Sequence, residues 1–164
     1  MTEFEVDQNT LPQRALLDTN IVILALGDRP TDPRAPACRA FWEMMIECGR
    51  DMLIAAPTLA EIVRYSGKPV PRRKGVEVVA FDSMAAQLLG KHFPQRFIET
   101  EANAAAAPKA HVKYDALIAS CALRHKAGVL VSYDANLGRL VLAAGLGCKK
   151  PEDFRKQQLT IPGT

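Results

Sequence analysis

The hydrophobic residues of the chain fall into short runs separated by longer stretches with helical periodicity. Four short runs have the length and composition of strands in a covered sheet: 14–17, 52–56, 76–81 and 129–132. Apolar residues recur at helical spacing in the segments between and after these runs: 37–48, a segment starting at 58, 84–89, 113–126 and 137–144. Strands that alternate with helices predict an α/β protein, a three-layer α/β/α sandwich with a mainly parallel central sheet.

Polar residues next to these runs predict where some of the helices begin. Thr58 is expected to cap the helix after the second strand, with Glu61 three residues later completing a capping box. Either Asp82 or Ser83 is expected to cap the helix at 84–89. We expect a wide loop at 94–110, whose alanine-rich part is a loop or the end of a helix.

The length of 164 residues is the usual size of a single domain. We divide the chain into a flexible leader at 1–13, one domain at 14–154 and a C-terminal tail at 155–164. No uncharged apolar run approaches the ~20 residues that cross a bilayer, and the first residues lack the apolar segment of a secretory signal. The four cysteines form no CxxC pair. They are interpreted as reduced thiols of a cytoplasmic protein that does not associate with membranes.

The formal charge of +3 hides an uneven distribution along the chain. Residues 1–62 carry 10 acids and 5 bases, whereas residues 63–164 carry 16 bases and 8 acids. An acidic part and a basic part within one small domain suggest separate binding places for cations and for anions.

Four acidic residues occupy related places in the predicted sheet: Asp18, Glu61, Asp115 and Asp134. Asp18 and Asp134 follow the first and fourth strands, and the other two lie in the first turns of helices. Because parallel strands end at the same edge of a sheet, where α/β proteins bind ligands, we expect the four to converge there. Taken singly, Glu61 could serve only the capping box, and Asp115 could serve only the positive end of its helix.

A cluster of carboxylates needs a compensating charge. Two carboxylates ~4 Å apart repel each other by roughly 4 kcal/mol at an effective dielectric constant of 20. A set of oxygen ligands suits Mg²⁺ or Mn²⁺, which usually keep several waters and bind substrate phosphates. The cluster therefore predicts a metal centre for hydrolysis of phosphodiester bonds.

The sequences around these acids resemble the motifs of a known family. In order along the chain, they are LLDTN at 16–20, APTLAEI at 56–62, DALIA at 115–119 and LVSYD at 130–134. They resemble a PIN domain over about residues 14–154, and within that family most resemble the VapC-type toxins of type II toxin–antitoxin modules. The resemblance implies an Mg²⁺- or Mn²⁺-dependent endoribonuclease that forms a homodimer and binds a cognate antitoxin protein. It also implies that the four acids are catalytic and hold the metal, with support from Asn20 and Ser132.

Several basic residues are candidates for binding the phosphates of an RNA substrate. Five lie together after the helix that carries Glu61, and the sixth lies two residues before Asp115. A solvated charged loop and an ordinary surface lysine are the alternatives at these positions. The candidates are Arg64, Lys68, Arg72, Arg73, Lys74 and Lys113.

Two other functions stay open at this stage. The chain could process stable RNA without being a toxin. The reaction would still be phosphodiester hydrolysis, but its biological role would differ. It could instead be a PIN-like module that binds RNA or a partner protein with little catalysis. Metal binding without cleavage would favour this second alternative.

Overall fold

The computed structural model describes residues 4–27 and 29–157 of the chain. Five parallel strands form one sheet in the order β3-β2-β1-β4-β5. The strands are β1 (Arg14–Leu17), β2 (Asp51–Ala55), β3 (Val76–Val79), β4 (Val129–Val131) and β5 (Gly147–Lys149). The α-helices in the described residues are α1 (Thr19–Ala25), α2 (Ala35–Glu47), α3 (Ala56–Ser66), α4 (Ser83–His92), α5 (Gln95–Ala104), α6 (Lys109–Arg124) and α7 (Ala135–Ala143).

The central strands separate two hydrophobic cores because successive side chains of a strand point to opposite faces. Leu17 and Ile54 belong to one core, which they share with Phe41 of α2. Leu16 and Leu53 belong to the other core, where they meet Ala116 and its neighbours on α6. Helices therefore cover both faces of the sheet, and the predicted three-layer α/β/α sandwich is confirmed.

The structure corrects three of the predicted elements. The expected wide loop at 94–110 contains helix α5, whose Ile98 and Ala102 face the core. Helix α6 begins at Lys109 rather than near 113, so Asp115 lies in the second turn. Helix α3 begins at Ala56 with a proline in its first turn, so the capping box is wrong because Thr58 already lies inside the helix. The prediction that Asp82 caps α4 is confirmed, since its Oδ1 accepts the Ala85 N–H at 2.9 Å.

Parts of the predicted leader and tail contact each other along the domain. Val6 and Leu11 are buried in the first core. Val6 forms an antiparallel bridge with Arg155, and the Asp7 N–H donates to the Phe154 carbonyl oxygen at 2.8 Å. Residues 1–3 of the leader and 158–164 of the tail lie outside the described residues. Within the described residues, no helix has the length and apolar character that spanning a membrane requires.

Candidate functional site

The structure brings the four predicted acids to one cleft at the carboxyl edge of the sheet. The cleft has a volume of about 440 Å³. Asp18 follows β1 directly, and Asp134 lies just beyond β4 on the neighbouring strand. Glu61 and Asp115 reach the cleft from helices α3 and α6. The parallel topology thus gathers side chains that are far apart in sequence.

Asp18 is the most firmly held of these carboxylates. Its backbone N–H donates to the Val131 carbonyl oxygen at 3.1 Å, which continues the pairing of β1 with β4. Its Oδ1 accepts the Thr19 N–H at 2.8 Å and so caps helix α1. Its Oδ2 accepts the Ser132 hydroxyl at 2.7 Å. The side chain is only 8% exposed, and these contacts fix its orientation.

Ser132 connects Asp18 to the acid on the neighbouring strand. Its hydroxyl donates to Asp18 and accepts the Asp134 N–H at 2.9 Å. Asp134 in turn caps helix α7, because its Oδ1 accepts the backbone N–H groups of Asn136 and Leu137 at 2.8 and 3.2 Å. The buried serine therefore links Asp18 and Asp134 through one hydroxyl and fixes them relative to each other.

Contacts between helices position the other two acids. The Thr19 hydroxyl of α1 donates to Glu61 Oε2 of α3. The Tyr114 hydroxyl of α6 donates to the Pro57 carbonyl oxygen at 2.5 Å, which joins α6 to the first turn of α3. Asp115 follows Tyr114 directly, so this hydrogen bond joins the helix of Asp115 to the helix of Glu61.

Burial, together with the neighbouring acids, raises the pKa of several groups in the site. Burial raises the pKa of Asp115 from 3.8 to about 7, helped by the charges of Asp134, Asp18 and Glu61. Burial also raises the pKa of Asp18, against the lowering effect of its hydrogen bonds from Ser132 and Thr19. Burial and then the nearby Glu61 raise the pKa of Tyr114 to about 12. The site therefore favours an added positive charge or a bound proton.

The acids of the cleft do not form a complete metal site on their own. Within residues 4–27 and 29–157, no group of three or more acidic, histidine or cysteine side chains is arranged to hold a metal ion. Mg²⁺ does not require one, because it keeps several waters and is usually bound through one or two carboxylates. The donors in the cleft are oxygen atoms, and the charges of the other three acids add to the burial that raises the pKa of Asp115. These residues fit a partly hydrated Mg²⁺ or Mn²⁺.

The predicted supporting and RNA-binding residues have different locations. Asn20 and Arg64 line the acidic cleft. Lys113 is exposed on α6 and lines a separate, apolar cleft of about 710 Å³. The other four bases are exposed in the segment that leads into β3, whose first residue, Val76, pairs with Met52 at the amino end of β2. That segment returns to the opposite edge of the sheet, so the structure does not bring Lys68, Arg72, Arg73 and Lys74 to the acids.

Several residues of the cleft were not among the predicted site residues, including Thr19, Tyr114, Tyr65 and Arg29. Tyr65 lines the cleft and is 51% exposed. The Arg29 guanidinium lies 4.6 Å from the centre of the Tyr65 ring, and its Nε donates to the Tyr65 hydroxyl at 2.8 Å. Tyr65 lies four residues after Glu61, a spacing that places both on one helix face and could have indicated it. Arg29 carried no such signal, because its position depends on the connection between α1 and α2.

The fold and the site together define an α/β protein with an acidic cleft at the carboxyl edge of a parallel sheet. The family model of the PIN domain matches residues 15–141. The chain therefore belongs to the PIN domain family, whose members are in general nucleases. This match confirms the family resemblance of the four sequence motifs. Among curated proteins, none matches the chain significantly.

Two solved structures are similar to the chain in fold. One is VapBC2 from Rickettsia felis bound to a DNA fragment from their promoter, with a TM-score of 0.55 and 20% identity over 83% of this chain and 97% of that chain. The other is FitAB bound to the IR36 DNA fragment, with a TM-score of 0.52 and 17% identity over 89% of this chain and 99% of that chain. At these identities, the similarity establishes a shared fold.

Proposed function

We propose that this PIN domain is an Mg²⁺- or Mn²⁺-dependent endoribonuclease and the toxin of a type II toxin–antitoxin module. The observation that carries this proposal is the single cleft lined by Asp18, Glu61, Asp115 and Asp134. Two of these acids are fixed by helix caps and by a shared serine. Preorganised carboxylates of this kind are what metal-assisted phosphodiester hydrolysis requires.

The residues of the cleft would have different roles in the reaction. Asp18, held through both of its oxygens, would keep the ligand position fixed. Asp115 would exchange its proton for the cation near neutral pH, since its pKa is about 7. A bound divalent cation would supply the positive charge that activates a water and offsets the charge developing on the phosphate. Hydrolysis would leave a 5′-phosphate on one product and a 3′-hydroxyl on the other.

Positive charge beside the acids would hold the RNA strand. Arg29 and Arg64 line the same cleft as the carboxylates. Because the acids repel a polyanion, these guanidinium groups would offset that repulsion and fix the phosphates on either side of the cut bond. Asn20 is exposed at the start of α1 and would support the metal centre through its amide.

The assignment as a toxin draws on the family and on the two structural neighbours. Both neighbours, VapBC2 and FitAB, were solved bound to DNA fragments. We propose that this chain acts in the cytoplasm with a cognate antitoxin, which would bind over the acidic cleft, and that it forms a homodimer. Growth arrest on induced expression, abolished by Asp18→Asn, would support the toxin over an RNA-processing nuclease.

The experiment that tests the chemistry combines metal titration with RNA cleavage. Isothermal titration of the metal-free protein with Mn²⁺ should show binding, and a mixed RNA pool should be cut with Mn²⁺ but not with EDTA. Asp18→Asn and Asp115→Asn should each abolish cleavage while preserving the circular dichroism spectrum. Glu43→Gln, an exposed change on α2, is the matched control and should cleave normally. Undiminished metal-dependent cleavage by both site variants would refute the proposal.

The alternative function is a module that uses the same cleft to bind RNA or a protein with little catalysis. Mn²⁺ binding, or RNA binding, without cleavage of any RNA in the pool would favour that module.

A further inference from the structure

We infer that Tyr65 is a stacking platform for a nucleobase of the RNA strand, next to the phosphate that is cut. This inference rests on the proposed function and deepens it, because it names how the site holds a single-stranded substrate. Its basis is the juxtaposition of an exposed aromatic ring, two arginines and four carboxylates in one cleft. None of the sequence motifs around the acids includes Tyr65.

The exposure of Tyr65 sets it apart from the other aromatic residue of the cleft. Tyr114 is partly buried, and its hydroxyl is engaged by the Pro57 carbonyl oxygen. Tyr65 is 51% exposed, and it is the one aromatic among the exposed large hydrophobic side chains of the described residues. Exposing an aromatic ring to water forgoes the free energy that its burial would provide. A planar, apolar partner would recover that free energy.

The position of Tyr65 along α3 suits a nucleotide next to the cut bond. Tyr65 follows Glu61 by four positions, which is about 6 Å along the helix axis. Stacked nucleotides of one strand are about 3.4 Å apart. A strand that runs along α3 would therefore place the ring one to two nucleotides from a phosphate that is held at the acids.

The arginines explain why a nucleic acid, rather than an uncharged apolar ligand, fits this surface. Arg29 lies against the Tyr65 ring, and its Nε–H donates to the Tyr65 hydroxyl, so the guanidinium and the ring are held together. Arg64 precedes Tyr65 on α3 and lines the same cleft. A base on the ring thus has positive groups beside it for its phosphate, which is the combination by which proteins bind single strands.

The test compares Tyr65 variants on RNAs that lack one base. The bond cut by the wild-type protein is first mapped in a short, unstructured RNA of mixed sequence with Mn²⁺. Single abasic nucleotides are then placed on either side of that bond. Tyr65→Ala should lower kcat/KM by roughly 5- to 150-fold, mainly through KM, because stacking acts on bound substrate and transition state alike. Tyr65→Phe and Tyr65→Trp should retain most activity, and Leu142→Ala is the control for loss of an exposed apolar side chain.

The abasic substrates separate stacking from a structural role. At one position, removing the base should lower the kcat/KM of the wild-type protein about as much as the Tyr65→Ala substitution does. The same abasic RNA should lower the kcat/KM of the Tyr65→Ala variant little further. If Tyr65 only holds Arg29 in place, Tyr65→Phe will be as impaired as Tyr65→Ala, because both lose the hydroxyl. The base effect will then be equal in wild type and variant. Either result overturns the inference.

Binding measurements keep this result distinct from the proposed nuclease function. Fluorescence anisotropy with the same RNAs uses Asp115→Asn, with and without Tyr65→Ala, so that no strand is cut. If the wild-type protein binds RNA without cleaving it and Tyr65→Ala weakens binding by the same factor, the nuclease proposal fails and the stacking inference stands. Normal cleavage and binding by Tyr65→Ala would refute the inference and leave the nuclease proposal intact. Absence of any RNA binding would refute both.

Discussion

Burial of the Asp115 carboxylate beside three other acids has a measurable cost in stability, and Asp115→Asn should remove this cost. The pKa of Asp115 is raised from 3.8 to about 7. Each pKa unit corresponds to ~1.36 kcal/mol, so the whole shift corresponds to about 4 kcal/mol at neutral pH. Asp115 is partly exposed, and solvent screening reduces this figure to about 1–3 kcal/mol. A gain of that size raises the Tm by roughly 3–10 °C in a chain of this length.

The sign follows from proton binding. Between about pH 4 and pH 7, the folded protein keeps the Asp115 proton and the unfolded chain loses it. The folded protein therefore binds more protons, and its free energy of unfolding falls as the pH rises through this range. Asparagine cannot ionise, so the advantage of Asp115→Asn over wild type should be near zero at about pH 4 and complete above about pH 7.

Urea unfolding of both proteins in EDTA, at several pH values across this range, measures the difference directly. Mn²⁺ should reverse the order, because it stabilises the wild-type protein by binding to its carboxylates. Glu43→Gln controls for the loss of one surface charge. If Asp115→Asn is less stable than wild type in EDTA at neutral pH, or if its advantage does not grow with pH, the electrostatic reasoning is wrong.

Three other substitutions test the supports of the site and the fold. Ser132→Ala removes the hydroxyl shared by Asp18 and Asp134. It should lower the free energy of unfolding in urea by about 1–3 kcal/mol and reduce RNA cleavage. Unchanged values for both would show that the serine is dispensable. Tyr114→Phe removes the hydrogen bond to Pro57 and should cost about 0.5–1.5 kcal/mol by the same measurement, while a gain in stability would contradict its bridging role. Gly75→Ala should lower the Tm, because Gly75 has a φ of +83° and an added Cβ would lie 2.8 Å from the Arg50 carbonyl oxygen. A Tm equal to that of the wild-type protein would contradict this geometry.

The sequence predicted the central part of the fold because those elements are specified locally. Strands β1, β2 and β4 are short apolar runs, and their burial on both faces follows from the helices between them. The parallel topology also indicated that Asp18 and Asp134 would lie at the same edge of the sheet. Residues whose position depends only on strand direction could therefore be predicted without a structure, whereas the pairing of β1 with β4 could not.

The elements that were missed depend on contacts across the chain. Strand β5 has only three residues, and it is defined by its pairing with β4. Helix α5 lies between prolines and buries only Ile98 and Ala102, which is too few apolar positions for a clear helical pattern. Arg29 reaches the cleft from the connection between α1 and α2, which no local pattern records.

Asp18 and Asp134 each cap a helix as well as line the cleft. Asparagine caps a helix about as well as aspartate, whereas alanine costs ~1 kcal/mol at such a position. Replacement of either acid by asparagine thus removes a negative charge from the cleft and leaves the helix start intact. A copy of this chain is therefore one conservative substitution away from a folded protein with a less acidic cleft. Within a family of such domains, loss of catalysis and loss of fold would become separate evolutionary events.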